Sequence, residues 1–237
     1  MLLHTLLQPA SAHQGAHRSV EAVERQREHA SAEQTANDAD GIAIAADRAF
    51  IANSGFGTGN TVSVIDLSPF NAGGDVSGVV LPPPGSIRVG DNPGGVRVTP
   101  FGDVYVVCGG SYGDGVHPNT ETPAKIFVIQ PASLTVIDSI FIGGHAFDIA
   151  ISAVDGTGYV ASTDSVFRID TRTHRNTGVF LSGYYYAVGV EEVSGDVYLA
   201  DPKDYVQPGT VDVYAASGQL RTSFSVGVIP GWFAFKR

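Results

Sequence analysis

Three observations predict an all-β fold for this 237-residue chain. It carries 29 Gly and 13 Pro, and only 16% of its residues are charged. That mixture suits many short strands joined by tight turns better than long helices. One order of short strands recurs four times from residue 37 onward, and its opening strands are 54, 53, 39 and 45 residues apart. Four short strands in roughly 40–50 residues is the period of a β-propeller blade. The expectation is a β-propeller of about four four-stranded blades plus the first strand of a fifth, forming an incomplete ring. A β-sandwich is the structural rival, but it does not account for four recurrences of one strand order.

Each unit opens on a short apolar strand with small residues: Ile42-Ala43-Ile44, Val96-Arg97-Val98, Ile149-Ala150-Ile151 and Val188-Gly189-Val190. Small side chains fit an innermost strand, where blades crowd around a central channel. After a turn containing Asp or Gly comes a strand led by an aromatic: Phe50-Ile51-Ala52, Tyr105-Val106-Val107, Tyr159-Val160-Ala161 and Tyr198-Leu199-Ala200. The third strand alternates, as in Val62-Ser63-Val64-Ile65-Asp66 and Val211-Asp212-Val213-Tyr214. Strands covered on both faces by neighbouring blades take Val, Ile and aromatics. A fourth strand is clearest in Val136–Ile140 and Leu220–Phe224, whose Ser, Thr and Asp suit an outer edge. Phe233-Ala234-Phe235 reads as a fifth opening strand with no blade behind it.

Residues 1–36 do not share this pattern and are read as a separate segment, disordered or weakly helical, ahead of the partial propeller at 37–237. They are rich in Ala, Gln, His, Arg and Glu, and the apolar stripe at Val20, Ala22 and Val23 buries little. His13 and His17 stand at helical i,i+4 spacing without a third ligand, so no metal is expected. The opening Met1–Leu7 is too short and interrupted for a convincing signal peptide, and no stretch has the roughly 18 apolar residues of a membrane span.

The net charge of −10 opposes binding to phosphate backbones, so no nucleic-acid partner is expected. The single cysteine, Cys108, lies in an apolar run and reads as a small buried hydrophobe. No phosphate loop, H-E-x-x-H, C-x-x-C-H or G-x-S-x-G is present. Asn37–Gly41 lacks the spaced ligands of a calcium loop. Glu191-Glu192 reads as a solvated pair, and Asp148 near His145 offers an acid–base pair without a nucleophile. No catalytic residue, resident cofactor or metal is expected, and the chain reads as a binding protein rather than an enzyme.

The repeat units resemble the YVTN-type repeats of YncE-like and surface-layer-like propeller proteins. Thr61-Val62-Ser63-Val64-Ile65-Asp66 and Asp103-Val104-Tyr105-Val106-Val107 carry that resemblance. The run Gly195–Tyr205, continued by Pro208-Gly209-Thr210-Val211, Gly218-Gln219-Leu220 and Val226–Gly231, is similar to the last blade of surface-exposed propellers of Bacteroidota-type bacteria. The resemblance covers residues 37–237. It implies a cell-surface or periplasmic protein whose partner is a small molecule, cobalamin for some members, or an outer-membrane protein. This chain departs from the usual seven blades and has no lipoprotein cysteine near its start.

Strand direction alternates within a blade, so the loops leading into each first strand share one face with the loops joining second to third strands. That face holds the channel mouth. The segments expected there carry Asp38 and Asp40, Asn92, His145, Phe147, Tyr184, Tyr185, Tyr186 and Trp232, with Tyr112 and Tyr205 from the two long second-to-third loops. The candidate ligand-binding set is therefore Asn92, Tyr112, His145, Phe147, Tyr184, Tyr185, Tyr186, Tyr205 and Trp232. Aromatics with a polar tip suit a flat amphipathic ligand or a protein partner. Phe147 and Tyr186 equally suit packing between blades, and His145 equally suits a hydrogen-bonded loop position. Three functions stay open: ligand capture, a protein-interaction scaffold, and an enzyme at the channel mouth. Unpaired edges of an open arc also predict self-association.

Overall fold

A computed structural model of the chain describes residues 39–68, 85–115 and 120–236. The segment at 1–36, with His13 and His17, lies outside the described residues. Blade 1 consists of β1 (Ala39–Ala45), β2 (Arg48–Asn53), β3 (Thr61–Asp66) and β4 (Ser86–Arg88), with a 3-10 turn at Gly55–Gly57. Blade 2 begins with β5 (Pro93–Val98) and β6 (Val104–Cys108). A small hairpin follows, β7 (Ser111–Tyr112) with β8 (Glu121–Thr122), inside what reads from sequence as one long loop. The blade closes with β9 (Lys125–Gln130) and β10 (Thr135–Phe141). Blade 3 is β11 (Ala146–Ile151), β12 (Thr157–Ser162), β13 (Ser165–Asp170) and β14 (Arg175–Ser182). Blade 4 is β15 (Ala187–Val190), β16 (Val197–Asp201), β17 (Thr210–Tyr214) and β18 (Leu220–Ser225). All neighbouring strands pair antiparallel, and each blade runs from innermost to outermost in chain order. The ring is not closed. Among the described residues no helix is long and apolar enough to cross a membrane.

The core lies between blades. Successive side chains on a strand face opposite sides of its sheet, so one strand feeds two interfaces. On β6, Val104 and Val106 pack toward blade 1 with Phe50, Val62 and Val64, while Tyr105 and Val107 pack toward blade 3 with Ile149 and Val160. All five β6 residues are buried, which explains a continuous apolar run instead of alternation. Cys108 belongs to the first of these cores, and burial pushes its thiol up to about 12. The outer strands show the opposite pattern: β18 is exposed along its whole length and β10 along nearly all of it.

Polar bonds stitch the interfaces. The Arg48 guanidinium of blade 1 donates to the Pro131 carbonyl of blade 2 at 2.6 Å. His174 of blade 3 lies between Asp103 and Asp138 of blade 2, at 3.5 and 3.3 Å, with the Tyr105 ring edge-on to it. The buried Tyr105 hydroxyl donates to the Thr171 carbonyl at 3.1 Å. Burial raises the Tyr105 phenol above its ordinary range, keeping it a donor. Tyr105→Phe strands that carbonyl, so a loss of about 1–2 kcal/mol is expected in urea unfolding. An unchanged midpoint would show that water replaces the hydroxyl.

The expected fifth opening strand is only half realised. Phe233 packs so closely on β15 that a Cβ at Gly189 would lie 2.8 Å from the Phe233 Cβ. Phe233 and Phe235 both set their rings against Tyr198, at 6.0 and 5.1 Å. The segment thus takes the stacking place of a fifth inner strand, but it has no strand pairing. A lone extended segment has no ladder partner to hold it as a strand. At the other end of the arc, Ile42 and Ile44 of β1 are 45% and 52% exposed.

Candidate functional site

Three inner strands start irregularly. The register shifts between Ala39 and Ile42 in β1, between Pro93 and Val96 in β5, and between Ala146 and Asp148 in β11. A bulge leaves backbone groups out of the ladder and bends the strand. Here the three bulges lie side by side at the channel mouth and open a recess of about 330 Å³ between blades 1, 2 and 3. Gly94, Gly95 and Ala146 are among the small residues that line it. Asn92, Phe147, Tyr186 and Trp232 line the rest, with the carboxylates of Asp40 and Asp148.

Asp148 is buried and fully engaged. Its Oδ1 accepts from Arg97 Nη2 at 3.1 Å and from the Ile149 amide at 2.8 Å, and its Oδ2 accepts from the Val188 amide at 3.2 Å. Burial holds its carboxyl above the usual carboxylate range, against the pull of Arg97 and the two amides. Asp40 is exposed on one side, and its Oδ2 lies 3.2 Å from where a Gly94 Cβ would stand. Desolvation of its covered side raises its pKa.

The expected rim residues separate into three groups. Phe147, Tyr184, Tyr186 and Tyr205 form one aromatic cluster. Phe147 meets Tyr184 edge-on at 5.5 Å and Tyr186 at 5.8 Å, and Tyr205 lies 6.1 Å from Tyr186. The Tyr184 and Tyr205 hydroxyls are hydrogen-bonded to each other. Burial, then this bond, pushes the Tyr184 phenol upward. Phe147 and Tyr186 thus join blades 3 and 4 and line the recess at once. Trp232 is 73% exposed on the recess wall.

The second group is a clamp beside the recess. His145 is buried, donates from Nδ1 to the Gly109 carbonyl at 2.9 Å and places Nε2 3.2 Å from Glu121 Oε1. Tyr112 stacks on its ring at 3.7 Å. His145 therefore takes the hydrogen-bonded loop role, pinning the β7–β8 hairpin to blade 3. The acid–base pair with Asp148 does not form, because the two side chains have different partners. Asn92 has a left-handed backbone, φ 54°, which Asn tolerates better than most residues. Its carbonyl accepts from the Gly109 amide at 2.8 Å.

Tyr185 is a correction. It is buried in the core between blades 3 and 4, with its hydroxyl 3.4 Å from Asp212 and 3.3 Å from Tyr214. The three consecutive tyrosines part company, Tyr184 and Tyr186 joining the aromatic cluster with Phe147 while Tyr185 turns inward. Sequence reasoning brought Asp40 and Gly94 to this face but left them, with Gly95, out of the candidate binding set. The adjacent glycines opening an otherwise apolar strand were the available signal of a bulge.

A larger groove of about 540 Å³ lies among the turns of blade 3, lined by Asp155, Asp170, Arg168 and Arg172. Its arginines are already occupied: Arg168 stacks on Phe180 at 4.5 Å and Arg172 on Phe101 at 4.1 Å. Among the described residues no group of three His, Cys, Asp or Glu side chains forms a metal site.

No family model and no curated protein matches the sequence. Among solved structures the chain is similar to hydrazine synthase of Kuenenia stuttgartiensis, with 20% identity and TM-score 0.59, over 82% of this chain and 51% of that one. It is also similar to a quinoprotein alcohol dehydrogenase-like protein of Bacteroides thetaiotaomicron, with 13% identity and TM-score 0.58, over 79% and 45%. A third is apo AztD of Citrobacter koseri, with 13% identity and TM-score 0.51, over 80% and 47%. The chain spans about half the length of these structures, and the likeness shows a propeller fold.

Proposed function

We propose that this propeller arc is a non-catalytic binding protein of the bacterial cell surface or periplasm, and that its channel-mouth face holds a small ligand. The observation that carries this reading is the recess itself. It is concave, partly aromatic and built by three adjacent bulges, and its volume lies near the lower bound of small-molecule sites. Aromatic rings continue from it across Tyr184 and Tyr205, so a flat ligand has a platform beside the recess. A cobalamin-like corrin, the ligand implied by the YVTN-type resemblance, is too large for the recess and would lie across Tyr184, Tyr186 and Trp232.

Trp232, the only tryptophan, reports on the site directly. Titration with a corrinoid and with a small-molecule fragment set should quench or shift its emission. Tyr184→Ala and Trp232→Ala should each weaken binding by about 1–3 kcal/mol, measured by calorimetry for the tryptophan variant. Identical titration curves for both variants would remove this face as the site. The exposed Ile42 and Ile44 on the inner strand of blade 1 favour a second reading, a surface for a protein partner or another copy of the chain. A sharp concentration dependence of mass in light scattering, abolished by Ile44→Lys, would support it.

A further inference from the structure

The recess contains more than aromatic surface. Around the point where a Gly94 side chain would begin, two acceptors converge: Asp40 Oδ2 at 3.2 Å and the Phe147 carbonyl oxygen at 3.9 Å. Phe147 is the extra residue of the β11 bulge and has no Cα partner on β12. Asp40 belongs to the β1 bulge, where the register with β2 is likewise broken. Among the described residues Asp40 has no hydrogen-bond or ion-pair partner. The nearby cation, Arg97, is committed to Asp148 and to the Val96 carbonyl. One carboxylate at the recess is thus neutralised and the other is not. The glycine leaves the space between the acceptors open. Phe147, Tyr186 and Trp232 line the same recess.

We propose, resting on the small-molecule reading above, that the ligand of this recess carries a protonated amine on a short apolar or aromatic body. Its ammonium group sits over Gly94, between the Asp40 carboxylate and the Phe147 carbonyl, and its body lies against Tyr186 and Trp232. An ammonium supplies N–H donors to both oxygens at once, whereas an anion would meet two acceptors and no free cation. Aromatic faces attract the same charge through their quadrupoles. The chain's net charge of −10 raises the local concentration of cations further. Partial burial raises the Asp40 pKa, and a cation seated beside the carboxylate offsets that cost to its charged form. The glycine at position 94 then serves access as well as backbone shape.

The test compares three probes of one shape: phenethylamine, phenethyl alcohol and 3-phenylpropionate, titrated by calorimetry and by Trp232 emission. The amine should bind at least about ten-fold more tightly than the alcohol, and the carboxylate least of all. Asp40→Asn should bring amine and alcohol to similar affinity while leaving the alcohol's affinity unchanged. Gly94→Ala should weaken the amine selectively. Equal binding of amine and alcohol by the wild type, preference for the carboxylate, or an amine preference that survives Asp40→Asn would overturn the proposal. So would binding of other fragments to the recess with none of the amines among them. If no fragment of any charge perturbs Trp232, the small-molecule reading itself fails, and this inference with it.

Discussion

Asp148→Ala should cost about 3–5 kcal/mol of stability, seen as a lower urea midpoint at unchanged slope. Asp148 accepts from Arg97 on the inner strand of blade 2, from Ile149 on its own strand and from Val188 on the inner strand of blade 4. One side chain thereby ties three blades together at the channel. Alanine would leave a guanidinium and two amides without this acceptor. Asp148→Asn keeps the shape and one acceptor oxygen, and should cost less than half as much. The pH dependence separates the contributions. Burial raises the folded carboxyl's pKa, so folding takes up a proton between the ordinary carboxylate value and the folded one. The stabilisation from this group is complete below the ordinary value and is lost as pH rises through the folded value. The asparagine cannot titrate, so the stability of the wild type relative to Asp148→Asn should fall as pH is raised from acid to neutral. A relative stability that grows instead would show that Arg97 and the amides outweigh burial.

Gly41→Ala should also be severe, about 3 kcal/mol or more, because its clash is with backbone that cannot rotate aside. A Cβ at Gly41 would lie 2.2 Å from the Gly94 carbonyl oxygen and 3.0 Å from the Val96 amide nitrogen. The inner strands of blades 1 and 2 approach to a distance that only glycine permits. Gly227→Ala is the matched control. Nothing lies within 4 Å of its added Cβ, so its effect should stay within about 0.5 kcal/mol. If both alanines behave alike in urea unfolding, the close approach of β1 and β5 is not required for stability.

The strands that were easiest to read in the sequence are those covered on both sides. β6, β12 and β16 are aromatic-led apolar runs, and in the fold they lie at the middle of blade interfaces. The outer strand of blade 3, Arg175–Ser182, was not legible, because an exposed edge constrains side-chain type weakly. The β7–β8 hairpin was not legible either. Its two strands are two residues each, too short for a period, and it is held by Tyr112 on His145 and by Thr122 on Asp91.

Much the same division runs through the site. The sequence by itself determined the all-β repeat, the order of strands within each blade and the face to which Phe147, Tyr184, Tyr186, Tyr205 and Trp232 come, because period and strand direction are local properties of the chain. Tertiary structure alone decided that Tyr185 turns into the core and that His145 is spent on Gly109 and Glu121. It alone decided that Asp148 belongs to Arg97 and not to His145, and that Asp40 meets Gly94 across two blades. The His145, Asp148 and Asp40 pairings join residues 24 to 54 positions apart, brought together by the stacking of one blade on the next. Side-chain alternation tells which way a residue faces, but what it meets there depends on bulge positions and blade spacing, which are set only when the sheets pack.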